Sequence, residues 1–116
     1  MTAFVGLLEK ADHRSPSFAA GRAAAAVASA RRELRDMPEA RALARIAASA
    51  RSEAAALDRP APGSPFRPAF DICLDAFVLA RDELDNLIHL ACRSNGLERS
   101  DLPSTGELVD QLAARD

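Results

Sequence analysis

Alanine crowds one stretch of this 116-residue chain and restricts its fold more than any other feature. Of the 26 alanines, 17 lie between Ala19 and Ala56. Ala20, Ala23, Val27, Ala30, Leu34 and Met37 recur three and four residues apart, and Ala40, Leu43, Ala47, Ala50, Ala54 and Leu57 repeat the rhythm, with Ile46 widening the second stripe. Alanine has no side-chain rotamers to lose and is the strongest helix former. A three-four rhythm holds a stripe on one side of a helix. Strands need β-branched and aromatic residues, and the chain has no Trp, no Tyr and five Phe. An all-β fold is therefore excluded, and 48% apolar residues exclude disorder throughout. The length suits one domain that can bury a core without staples. The expected fold is all-α: a small bundle of four to five helices, with residues 1–116 as one domain.

Start and stop signals divide the chain further. Thr2 caps a short first helix whose stripe is Phe4, Leu7, Leu8 and Ala11. Ser15 before Pro16 opens a second helix, and Pro38 closes it and opens a third. So short a connection favours an Ala-rich antiparallel hairpin over residues 14–57. The alternative is one helix kinked at Pro38. Residues 58–68 hold Pro60, Pro62, Pro65 and Pro68 and read as a semi-rigid linker, with Phe66 expected to anchor it on apolar surface. Phe70, Cys73, Leu74, Phe77, Ala80, Leu84, Leu87, Ile88 and Ala91 then mark one long central helix. Asn95-Gly96 ends it in a left-handed cap with Leu97 folding back. Ser104 and Glu107 form a capping box for a last helix that buries Leu108, Val109 and Leu112.

The net charge of −2 hides two opposed halves. Arg14 to Arg59 contains nine Arg and five acids, or +4, whereas Pro60 to Asp116 contains five Arg and ten acids, or −5. The first thirteen residues add −1 and recover −2. Three arrangements use such polarity: the halves pair within the chain, between copies, or with a charged partner. GC-rich codons are the expected source of much of the bias of 14 Arg over one Lys, a bacterial-like composition.

Candidate sites are sparse. Asp82, Asp85 and His89 fall one helical turn apart and could bring two carboxylates and an imidazole together. A metal site in a bundle needs matching ligands on a facing helix, but the only other His is His13 and no Glu-x-x-His occurs. His89 as a phospho-acceptor is poorly matched, because Leu90, Ala91, Cys92 and Arg93 follow it. Cys92, three residues from His89, borders the apolar stripe as a structural thiol does. No phosphate loop, Cys-x-x-Cys or G-x-S-x-G is present. Arg31, Arg35, Arg41 and Arg45 could meet nucleic acid or an acidic partner. Acids interrupt that patch, and the segment offers no Tyr or Trp for base stacking.

Cys73 and Cys92 lie on one expected helix, roughly 28 Å apart at the helical rise, so they cannot bridge. Two free thiols suit a reducing cytoplasm. Phe4–Leu8 is too short for a secretory core, and no apolar run reaches the roughly 18 residues of a membrane span. Ala80-Arg81-Asp82-Glu83-Leu84 through Ile88, with Gly96-Leu97 and Gly106-Glu107-Leu108-Val109, loosely resembles HEPN-type helical domains and bacterial death-like adaptor domains. The resemblance covers the last third, and the Arg–His signature of the nuclease members is absent, since His89 is the first His after Arg81 and stands too far from it. No family assignment follows. The expectation is a cytoplasmic, non-enzymatic interaction or adaptor protein that needs no cofactor and binds another protein or a second copy of itself. Nucleic-acid binding through the arginines is the alternative, and a metal or phosphotransfer site at His89 is a third.

Overall fold

A computed structural model describes residues 16–114, with side chains described from Ala19 onward. The expected first helix and His13 lie outside the described residues. Within them run α1 (Pro16–Arg35), α2 (Pro38–Ala56), α3 (Arg67–Ser94), a 3-10 turn (Arg99–Asp101) and α4 (Thr105–Ala113). No strand occurs among the described residues, and the chain is a small all-α bundle around the long α3.

Local chemistry sets the boundaries. Pro38 occupies the first turn of α2, while Met37 before it is extended at φ −92°, ψ 112°. A residue preceding proline is pushed out of helical geometry, so one residue breaks the ladder. Gly96 sits at φ +68°, and its N–H and that of Leu97 return to Arg93 and Cys92. That pattern closes α3 as its Asn-Gly sequence implies. Ser104 and Glu107 exchange the two hydrogen bonds of a capping box. A second box, Glu98 with Asp101, opens the 3-10 turn. The linker is slightly shorter than its prolines suggest, because Arg67 and Pro68 already belong to α3.

The helices pair differently from the expected hairpin. α1 and α2 have few contacts with each other, and α2 packs chiefly along α3 and then on α4. Cys73 near the start of α3 meets Glu53 near the end of α2, whereas Asn95 just past α3 meets Glu33 near the end of α1. α2 therefore runs antiparallel to α3, and the few contacts between α1 and α2 show that these two do not lie side by side, so the chain is redirected at Pro38 without a fold-back. A fold-back would require the α1 seam to cover α2, but α3 already fills the α2 seam.

Packing follows from this layout. Ala40, Ala44, Ala47, Ala50 and Ala54 are buried on α2, with Ala44 taking the place expected of Leu43. Each alanine methyl contributes only about 0.8 kcal/mol when buried, so the seam chiefly permits close approach. The larger apolar area comes from Leu34, Leu84, Ile88 and Val109, all fully buried. The main core lies at the α4 end, joining Ala30 and Leu34 to Leu84, Ile88, Leu108 and Leu112. Ala20 and Ala23 of the first seam are exposed, as are Ile46 and Phe66. Ile46 therefore does not widen the buried stripe, and Phe66 does not anchor the linker. Arg67 braces the linker instead, donating to the Pro60 carbonyl at 3.1 Å.

Candidate functional site

The polar cluster on α3 is only partly assembled. His89 Nε2 lies 3.3 Å from Asp85 Oδ2, the expected pairing one turn apart. Asp82 turns away to Arg81 instead. Asp85 gains two partners from later in the chain: Thr105 Oγ1 donates to its Oδ1 at 2.8 Å, and Arg99 approaches the same oxygen at 3.5 Å. Arg99 also donates to Thr105 Oγ1 and to the Pro103 carbonyl. Partial burial alone would raise the Asp85 carboxyl, but the Thr105 hydrogen bond, the electrostatic effect of the neighbouring His89 and the Arg99 guanidinium outweigh it. The carboxyl is held below its ordinary value as a result. The arrangement ties the start of α4 to α3, and its acceptor oxygens are occupied. Among the described residues no group of His, Cys, Asp and Glu is arranged to hold a metal ion.

Neither thiol is activated. Burial pushes Cys92 above its ordinary value. Desolvation and then the neighbouring Glu53 carboxylate push Cys73 up as well. A raised thiol is a poor nucleophile near neutral pH.

The four arginines do not converge. Arg31 donates to Gln111 at 2.8 Å and, with Arg35, lines an open cleft of about 380 Å³ against Leu108 and Leu112 of α4. Arg41 turns back to the Arg35 carbonyl at 2.7 Å, satisfying the broken end of α1. Arg45 stands apart at a groove of about 370 Å³ between α2 and α3, beside Ile46, Ser49, Glu53 and Ala76.

That groove opens onto the least expected feature of the molecule. Ile72, Ala76, Leu79, Glu83, Asn86 and Leu90 follow one another at alternating steps of four and three residues along the outer side of α3. Ile72 is 68% exposed, Leu79 63% and Leu90 52%, and Ile46 across the groove is 51% exposed. On the opposite flank Leu74 and Val78 are also exposed. The first half of α3 thus carries apolar residues on both flanks of its buried seam, yet it is covered chiefly by α2. Sequence reasoning missed this second stripe because it assigned α3 a single apolar face. The four-three spacing from Ile72 to Leu90 is the signal that could have found it. Among the described residues no helix is long and apolar enough to cross a membrane. No protein-family model matches the chain, and neither a curated protein nor a solved structure matches it.

Proposed function

We propose that this is a small, non-enzymatic helical protein that works by binding protein through the outer face of α2 and α3. The observation carrying this reading is the exposure of Ile72 and Leu79 on a stripe continuous with Ile46. Contiguous apolar surface rimmed by charge marks a protein contact more often than a solvent face. The surrounding chemistry supports the same reading: Asp85 is bound into a structural latch and both thiols are raised. The two unbridged thiols also suit a cytoplasmic location. Nucleic-acid binding is less favoured, because Arg31 and Arg41 are engaged within the chain.

Affinity capture from the native cell, comparing the unaltered chain with the Ile72→Glu, Leu79→Glu double variant, tests the proposal. A specific set of proteins, retained by the first and lost by the second, is the expected result. Identical profiles would overturn it. Salt-sensitive retention of nucleic acid by both chains would favour the arginine reading instead.

A further inference from the structure

We propose that the outer face of α2 and α3 is closed by a second copy of the same chain, with α2 of each protomer lying on α3 of its partner. This rests on the reading of that face as a protein-docking surface and names its occupant. The first support is register. Cys73 Sγ and Glu53 Oε1 are 3.7 Å apart, which fixes the level at which the antiparallel α2 and α3 meet. Arg45 lies eight residues before Glu53, so its level on α3 is eight residues after Cys73, at Arg81. Arg45 and Ile46 therefore stand level with the turn between Leu79 and Glu83.

The second support is charge. Arg45 on α2 and Asp75 and Glu83 on α3 are exposed at this face, and no ion pair within the described chain engages them. Two face-to-face arrangements with two-fold symmetry are available. An axis running across the helices would invert α3 on its own copy about Leu79. Asp75 would then oppose the partner's Glu83, a like-charge contact made twice, and α2 would meet α2. An axis running along the helices preserves level and exchanges the two elements. Arg45 then meets the partner's Glu83, Ile46 meets the partner's Leu79, and symmetry repeats both contacts. Like-charge juxtaposition is strongly penalised at an interface, so the charges favour the second arrangement over one centred on Leu79. The charge balance of the whole chain agrees. Its basic and acidic halves are joined by one ion pair among the described residues, Arg51 with Asp110, and the remaining polarity stays available between copies.

Light scattering and sedimentation of the purified full chain test this, using Arg45→Glu, Glu83→Arg and their equimolar mixture. The unaltered chain is expected to dimerise, and each reversal alone is expected to weaken the dimer roughly tenfold or more. In the mixture every reversed charge meets an opposite one, so dimer returns. Both sites are exposed, and circular dichroism checks that each variant retains its helices. A chain monomeric at every concentration would sink the proposal, as would a dimer indifferent to either reversal or one that the mixture does not restore. A monomeric chain that still loses its captured proteins on Ile72→Glu, Leu79→Glu substitution would leave the docking surface intact and remove only the second copy as its occupant.

Discussion

At Asp85, four side chains from three segments meet, and the consequences can be worked out in sign. The carboxyl is held below its ordinary value of 3.8 by Thr105, His89 and Arg99 acting against burial. A depressed carboxyl contributes stability above its unfolded value and loses it as pH falls through the folded one. Replacing Asp85 by Asn keeps the shape and removes the charge. Hydrogen bonds to charged groups are worth up to about 3 kcal/mol, and the 38% exposure of this side chain reduces that, so a loss near 1 kcal/mol is expected. Thermal unfolding followed from about pH 6 to about pH 3 should show the gap between native and variant closing with acid. A constant gap would assign the effect to packing. The pairing of Asp85 with His89 was legible in the sequence, because i,i+4 neighbours on a helix must face each other. Arg99 and Thr105 were not, since they reach Asp85 only once the 3-10 turn folds back.

Among the elements, α1 is held unevenly. Its last turns place Ala30 and Leu34 in the core, while Ala19 through Ala25 are exposed. That first half keeps its helix largely through alanine propensity, and Gly21 interrupts it. A Cβ at Gly21 would meet nothing within 4 Å. Gly21→Ala should therefore steady this half by up to about 1 kcal/mol, read as slower amide hydrogen exchange over residues 19–26. Exchange in α3 should be unaltered. Helix existence and most caps were readable from sequence because Pro, Asn-Gly and Ser-x-x-Glu act locally. Which helix covers a seam is decided elsewhere. An alanine stripe accepts any close partner, and α3 offers α2 more apolar area than α1 can. The same indifference makes the kink at Pro38 sufficient, since one extended residue at Met37 redirects the chain along α3 without a fold-back.

For the molecule as a whole, two sets of apolar residues on α3 should answer very differently to substitution. Leu84 and Ile88 are fully buried in the main core, and truncating either to Ala should cost about 2–5 kcal/mol. Ile72 and Leu79 are mostly exposed in the single chain. Replacing both by Lys should therefore change the dilute chain by no more than about 0.5 kcal/mol per site. The chain closed on a second copy gives a further distinction, because association stabilises the folded state by mass action. The melting temperature of the unaltered chain should rise with its concentration, whereas that of the Ile72→Lys, Leu79→Lys variant should stay flat. The two should converge on dilution. A melting temperature independent of concentration in the unaltered chain would mean that the stripe is not covered by a copy. A large loss in the dilute variant would mean that Ile72 and Leu79 support the single fold. The contrast is physical: removing a methylene from the core leaves a cavity in every molecule, whereas charging the outer stripe is felt only where two molecules meet.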